Sequence, residues 1–119
     1  MTKLSHERVL KALVKLGLSE KEAEVYVFLA REGPQKGSSI AETLKLNKQH
    51  LYAILKSLQN KRIVNATLEY AAQFSALPFE KALALLAEAK RKEAQRIEEN
   101  KEEIISHWRS MNPKSTTTR

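Results

Sequence analysis

The 119-residue sequence contains no cysteine and no aspartate. Without cysteine there is no disulfide framework, thiol nucleophile or thiolate metal site, which fits an intracellular protein. Without aspartate, many catalytic triads and metal-ligand sets are missing as well. The three histidines, His6, His50 and His107, lie far apart, and no two have the spacing that places both imidazoles on one helical face. We therefore expect no enzymatic activity, no metal site and no cofactor.

Glycine and proline are scarce, with three of each, and no apolar run is long. The glycines, at positions 17, 33 and 37, form neither a phosphate-binding loop nor a dinucleotide fingerprint. No apolar stretch approaches the roughly 18 residues needed to span a bilayer. The start of the chain also lacks the apolar region of a signal peptide. We expect a soluble, cytoplasmic protein with no membrane partner.

Positive charge is in excess, since 21 Lys and Arg against 14 Glu give a formal charge of +7. Such a balance suits a polyanionic partner, either nucleic acid or an anionic membrane. Within residues 36–62 only Glu42 is acidic, and the basic residues there are Lys36, Lys45, Lys48, Lys56, Lys61 and Arg62. This segment alone has a net charge of +5, which is most of the total.

The spacing of apolar residues predicts four helices in the first 60 residues. The first runs from Leu4 to Leu16 and is closed by Gly17 as a C-terminal cap. The second begins at Ser19 and Glu22, which form a capping-box pattern, and continues until Gly33-Pro34 stops it.

The third and fourth helices are predicted to form a pair. Ser38 or Ser39 can cap a short third helix, and Asn47 opens the fourth after the short connection Lys45-Leu46. The fourth helix carries an apolar stripe at helical spacing, consisting of Leu51, Ile54, Leu55 and Leu58. Two short helices joined so tightly are typical of a helix-turn-helix.

The pattern changes after Arg62. Residues 63–68 and 74–77 are predicted to form two short strands of a β-hairpin. Pro78 suits the first turn of a final helix that continues to about Met111, and residues 112–119 are predicted to be a disordered tail. The fold is expected to be mainly α with a small β-hairpin: a winged helix-turn-helix in residues 1–77 and a long C-terminal dimerisation helix in residues 78–111.

The fourth helix has the features of one that enters the major groove of double-stranded DNA, with one buried face and short polar or basic side chains on the other. Gln49 can pair with adenine, and Lys56 can pair with phosphate. The apolar spacing alone would favour an ordinary surface helix, but the tight connection, the local charge and the following hairpin favour DNA binding. The predicted DNA contacts are Lys36, Ser38, Asn47, Lys48, Gln49, His50, Tyr52, Lys56, Tyr70 and Gln73.

The hairpin has two interpretations. Residues 65–73 contain no Lys or Arg, whereas a wing that enters the minor groove normally uses a cation. Either the tip touches the DNA backbone through Thr67, Tyr70 or Gln73, or the hairpin only closes the core. In the second case the core residues are Ile63, Val64, Leu68 and Phe74.

The final helix is predicted to associate with a second copy of the chain. Apolar residues are too sparse in its middle for a strong coiled coil, yet one small domain cannot cover its far end. A homodimer is favoured because closed two-fold dimers are the commonest oligomers. The predicted dimerisation residues are Leu83, Leu86, Ile97, Ile104, Ile105, Trp108 and Met111.

Several motifs follow one another in a characteristic order. They are the run Leu16-Gly17-Leu18-Ser19-Glu20-Lys21-Glu22-Ala23-Glu24-Val25-Tyr26 and then Gly33-Pro34, Ile40-Ala41 and Leu51-Tyr52. This set resembles the N-terminal domain of archaeal TrmB-type sugar-responsive transcriptional regulators, over roughly residues 4–77. The resemblance implies a winged helix that binds operator DNA, with residues 48–56 in the recognition-helix position, and an archaeal source.

The resemblance also has two gaps. Larger family members carry a C-terminal effector domain that binds sugars, and the sequence has no equivalent after a helix that ends near residue 111, so we do not carry sugar sensing over. Similar regulators often have glycine just before the first wing strand, where this chain has Arg62.

We therefore expect a sequence-specific DNA-binding transcriptional regulator that acts as a homodimer. The alternative is a winged-helix protein-interaction module of the transcription machinery, whose basic face docks RNA polymerase or another factor without sequence-specific DNA binding. A small-molecule sensor would need an apolar pocket, which no sequence feature marks.

Overall fold

The computed structural model describes residues 3–69 and 71–111, and the predicted tail at residues 112–119 lies outside them. The chain divides into two units, Met1–Ala87 and Glu88–Arg119. We call the first the winged-helix unit, and we call the described part of the second, residues 88–111, the C-terminal segment. The first unit contains helices and a small antiparallel sheet, whereas the C-terminal segment is helical. The predicted fold class is confirmed.

Helices α1 (Lys3–Lys15) and α2 (Glu20–Glu32) are joined by a tight turn. The backbone N–H of Gly17 donates to Val14 O at 3.0 Å, and that of Leu18 donates to Leu13 O at 3.1 Å. With Gly17 at a φ of 114°, these bonds form a Schellman cap, as predicted. The predicted capping box at the start of α2 is also present, because the Ser19 and Glu22 side chains each accept a hydrogen bond from the other residue's backbone N–H.

Helices α3 (Gly37–Leu44) and α4 (Lys48–Asn60) form the helix-turn-helix. The predicted cap of α3 was wrong: Lys36 occupies the N-cap position without a side-chain cap bond, and Ser38 and Ser39 lie within the first turn. The predicted cap of α4 is confirmed, since Asn47 Oδ1 accepts a hydrogen bond from the backbone N–H of His50 at 2.7 Å.

Three short strands form an antiparallel sheet in the order β1-β3-β2. Strands β2 (Val64–Ala66) and β3 (Gln73–Ala76) make the predicted hairpin, with Val64 opposite Ala76. Strand β1 (Gln35–Lys36) pairs with the other edge of β3, and it was not predicted because two residues carry no detectable alternation. This strand fixes the start of α3 beside the hairpin.

The core lies in the winged-helix unit and draws on its helices and strands. Its largest fully buried side chains are Tyr26, Leu13, Leu29, Ile40, Leu51, Leu55, Leu58, Ile63, Val25 and Val64. The hydroxyl of Tyr26 donates to Leu77 O at 2.6 Å, which satisfies a polar group in an apolar environment. Burial, and secondly the charge of Glu80, raises the pKa of Tyr26 to about 12.

The last helical region consists of α5 (Phe79–Glu99) and α6 (Lys101–Met111). It was predicted as one helix, but it is interrupted at Asn100, whose Nδ2 donates to Arg96 O at 2.9 Å. A side chain that bonds to a backbone carbonyl competes with regular helical bonding. The interruption is local, because the Ile104 N–H still donates to Asn100 O at 3.0 Å. Within the residues described, no helix has the length and apolarity to cross a membrane.

Candidate nucleic-acid interface

The turn between α3 and α4 is held at both ends. Lys45 has a φ of 57°, a left-handed conformation that few non-glycine residues adopt. The next N–H, of Leu46, donates to Ala41 O at 2.9 Å, while Asn47 caps α4. Because its carboxamide oxygen is used in this cap, Asn47 has a structural role in addition to its predicted DNA contact.

Helix α4 has one buried face and one exposed face. Leu51 and Leu58 have no exposed surface, and Ile54 and Leu55 are at most 6% exposed, which confirms the predicted stripe. Outside this stripe, the exposed side chains are Lys48, Gln49, His50, Tyr52, Ala53, Lys56, Gln59 and Asn60. The predicted contacts on this helix are therefore all accessible from solvent.

Most of the basic side chains around α4 are also free. Among the described residues, no ion pair involves the exposed Lys36, Lys45, Lys48, Lys56 or Arg62. Arg62 has a φ of 68°, so the turn that the resemblance leads us to expect with glycine keeps a left-handed form with arginine in place. Five cations thus remain available along residues 36–62.

Lys61 differs from these five cations. Its Nζ lies 3.7 Å from Glu22 Oε2 and donates to Ser57 Oγ at 3.0 Å. The Ser57 hydroxyl in turn donates to the Glu22 carboxylate. Burial alone raises the pKa of Glu22, but hydrogen bonds from Ser57 and Ser19 and the charge of Lys61 together hold it below its usual 4.5. This network ties α2 to the end of α4 and removes Lys61 from the free charge.

The side chain of Tyr52, a residue of α4, lies beside Gly37 at the start of α3. Its ring packs edge-on against Phe74, with 6.1 Å between ring centroids. A Cβ on Gly37 would lie 2.9 Å from Tyr52 Cζ, so any larger residue here requires the ring to shift from this position. The sequence analysis did not predict this role of Gly37. The only sequence feature that could have indicated it is the presence of glycine directly before the first turn of α3, at Ser38 and Ser39.

The start of α3 brings together three predicted contacts. Lys36 and Ser38 are exposed at its first turn, and the half-exposed Tyr52 lies beside Gly37. Within residues 3–69 and 71–111, no side-chain cap bond forms at this helix start, which leaves its first N–H groups without a capping side chain. The positive end of the helix lies beside the exposed Lys36 and Ser38, a combination that suits a phosphate group.

The tip of the hairpin has no positive charge in residues 67–72. Thr67 closes it, since its hydroxyl and its N–H bond to the backbone N–H and carbonyl of Gln73, each at 3.0 Å. The Gln73 side chain is exposed, and Tyr70 lies outside the described residues. Leu68, which the core-closing interpretation of the hairpin placed in the core, is instead fully exposed, because β2 ends before it at Ala66.

The predicted dimerisation residues fall into two groups. Leu86 is 4% exposed and packs in the core of its own chain, and Leu83 is partly buried against the same core. Ile105 is half-buried in the C-terminal segment, where the remaining residues are each more than half exposed: Ile97, Ile104, Trp108 and Met111. Only the second group is available to a partner.

A family model matches much of the chain. The model of the sugar-specific transcriptional regulator TrmB matches residues 13–80, from α1 to the start of α5. No curated protein matches the sequence.

The fold also resembles several solved structures. TrmBL2, an archaeal chromatin protein whose structure shows a novel mode of DNA binding, is 17% identical with a TM-score of 0.73, and the match covers 96% of this chain and 44% of that one. A possible transcriptional regulator from Methanosarcina mazei Go1 is 16% identical with a TM-score of 0.62. That match covers 82% of this chain and 86% of the regulator. The YusO protein from Bacillus subtilis is 18% identical with a TM-score of 0.55, and the match covers 98% of this chain and 87% of YusO. At these identities the likeness concerns the fold, and this chain spans less than half the length of TrmBL2.

Proposed function

Since the chain belongs to the TrmB family of transcriptional regulators, we propose that it is a sequence-specific regulator that binds double-stranded DNA as a homodimer. In this proposal α4 lies in the major groove and the start of α3 lies on the phosphate backbone. The C-terminal segments join two copies, so that two recognition helices reach two half-sites.

The observation that carries the proposal is the exposed face of α4. Its first turn presents Lys48, Gln49 and His50 with no ion pair among the described residues, and Lys56 follows two turns later. An amide can pair with two groups of adenine, whereas ammonium groups pair with phosphates. The face thus combines a group that can read bases with groups that fix the helix on the backbone.

The start of α3 would add contacts that do not depend on sequence. Lys36, Ser38 and the Tyr52 hydroxyl lie at an uncapped helix end, where donors and the helix dipole favour an anion. A phosphate of the DNA backbone meets this requirement. Such contacts set the orientation of the protein on the duplex.

The wing would contribute less than the helices. Without a cation at its tip it gains little from the negative potential of the minor groove. Contacts from Thr67, Tyr70 or Gln73 would be limited to the backbone.

The homodimer is supported by the exposed apolar side chains of the C-terminal segment. Ile97, Ile104 and Trp108 are 58%, 52% and 53% exposed in a single chain. Pairing with a second copy would remove this apolar surface from water, which is favourable.

Light scattering should therefore give twice the mass of one chain. Ile104→Glu should weaken association by about 2 kcal/mol or more, while Ser106→Glu, which adds the same charge at an exposed polar position, is the control.

Selection of bound sequences from a random duplex library tests the function. We expect an enriched motif with two-fold symmetry, bound with a steep dependence on salt. Absence of any enrichment, together with weak binding to all duplexes, would contradict the proposal.

That negative result would favour the second candidate, a protein-docking module. The observation on its side is the wing tip, where Leu68 is fully exposed next to Glu69 and no basic residue is present. An exposed leucine beside an acidic residue suits a protein surface better than a phosphate backbone.

A further inference from the structure

The charges of the C-terminal segment indicate how two copies pair, an inference that rests on the homodimer proposed above. We propose that the two segments run antiparallel, with the two-fold axis near Ile97. The basic part of each segment then lies beside the acidic part of its partner.

The segment has two blocks of opposite charge on either side of Ile97. Residues 90–96 have a net charge of +3, from Lys90, Arg91, Lys92 and Arg96 against Glu93. Residues 98–103 have a net charge of −3, from Glu98, Glu99, Glu102 and Glu103 against Lys101. Ile97 stands at the boundary between them.

Orientation decides which blocks meet. An antiparallel pair with its axis at this boundary sets each basic block beside an acidic one, twice in the dimer. A parallel pair sets +3 beside +3 and −3 beside −3. In a parallel coiled coil, flanking residues five positions apart also face each other, which places Glu93 against the partner's Glu98. Opposite charges across such an interface stabilise the pairing that brings them together and disfavour the other.

Charges in both blocks are free to pair between chains. Among the described residues Lys92, Arg96 and Glu102 make no ion pair. The pairs that do form within the segment, such as Lys90 with Glu93 at 3.9 Å and Lys101 with Glu98 at 3.4 Å, join side chains that are at least half exposed. Exposed pairs of this kind are worth at most about 1 kcal/mol, so they can exchange partners readily.

The apolar residues are compatible with the same orientation. Ile97, Ile104 and Trp108 recur at intervals of seven and four, which places them along one side of the helix. In an antiparallel pair, Ile97 meets its own copy near the axis. Ile104 reaches the level of the partner's Lys90, whose methylene stem can cover it while the ammonium group stays in water.

Spin labels can measure the orientation directly, because the chain has no cysteine that would compete for labelling. Ala89→Cys and Ser106→Cys place labels on two exposed residues, one on each side of Ile97. In the antiparallel pair, positions 89 lie about 24 Å apart along the axis and positions 106 about 27 Å apart, at 1.5 Å per residue. A label at 89 on one chain lies close to a label at 106 on the other.

The expected result is therefore long distances between equal labels and a short distance in mixed dimers. Short distances for both equal pairs, with a long mixed distance, would overturn the antiparallel arrangement while leaving the homodimer intact. A single-chain mass by light scattering would overturn the homodimer and this inference together. Ile97→Cys is the control, since its labels should be close in either orientation, and each labelled variant should keep the mass of the unlabelled protein.

Discussion

The ring of Tyr52 lies over the backbone of Gly37, where a Cβ would approach its Cζ to 2.9 Å. The two residues belong to different helices of the helix-turn-helix, and Phe74 supports the same ring from the wing. The absence of a side chain at residue 37 thus sets where the tyrosine hydroxyl lies at the proposed phosphate contact.

Gly37→Ala should lower the free energy of unfolding by about 1–3 kcal/mol, because the added methyl group must displace the Tyr52 ring. In a Tyr52→Ala background the same change should be neutral or slightly stabilising, since alanine favours helix more than glycine does. Urea unfolding of the four proteins of this double-mutant cycle measures the coupling. Equal effects in both backgrounds would show that the contact does not matter.

Glu22→Gln should reduce stability near neutral pH and lose its effect in acid. The pKa of Glu22 in the folded protein is below its usual 4.5, so ionisation stabilises the fold above pH 4.5. This contribution is lost as the pH falls through the lowered pKa. Thermal unfolding across this range should show the two proteins converging. Glu32→Gln on the same helix is the matched control and should not reproduce the trend, because it removes an exposed carboxylate that makes no ion pair among the described residues.

Arg62→Gly should stabilise the winged-helix unit. The N–H of Arg62 donates to Gln59 O at 2.9 Å and that of Ile63 donates to Leu58 O at 3.2 Å, which makes the end of α4 a Schellman cap. The left-handed backbone conformation of residue 62 costs arginine about 1–2 kcal/mol of stability. Glycine avoids this cost but loses more conformational entropy on folding. We expect a net gain of a few tenths to about 1 kcal/mol in urea unfolding. A loss of stability would mean that the Arg62 side chain makes a contact worth more than the strain.

Gln49→Ala and Lys56→Ala should affect DNA binding differently. Loss of a base contact should relax discrimination at one base pair per half-site by about 1–3 kcal/mol, with little change on scrambled DNA. Loss of a phosphate contact should weaken binding to every duplex and lower the salt slope by about 0.9 per contact. Titrations with selected and scrambled duplexes at several salt concentrations separate the two cases.

Lys11→Ala on α1 removes one exposed charge outside residues 36–62 and is the control for the charge change. If Gln49→Ala weakens both duplexes equally while Lys56→Ala alters base preference, the two roles are reversed. If neither change matters, this face does not contact DNA.

The ends of α1, the start of α2, the start of α4 and its buried stripe could be predicted from sequence because they depend on residues within two turns of one another, whereas the cap of α3 could not. Gly17, the capping box at Ser19 and the cap at Asn47 are examples of such local chemistry. Contacts between distant residues were not predictable. Lys61 belongs to the basic segment of the sequence, but in the structure it lies beside Glu22, 39 positions earlier.

The wing shows the limit of alternation patterns. Leu68 looks like the next inward residue after Val64 and Ala66, but the strand ends at Ala66, and the pattern alone does not show where pairing stops. In the same way, β1 pairs with residues nearly 40 positions away and leaves no local signal.

The position of Trp108 determines what intrinsic fluorescence can report. It is the chain's sole tryptophan, and it lies half exposed in the C-terminal segment rather than in the core. Its emission therefore reports on the surroundings of that segment and not directly on the packing of the core. Burial against a second copy would shift the emission to shorter wavelength with rising protein concentration, whereas unfolding of the core around Tyr26 must be followed through backbone or tyrosine signals.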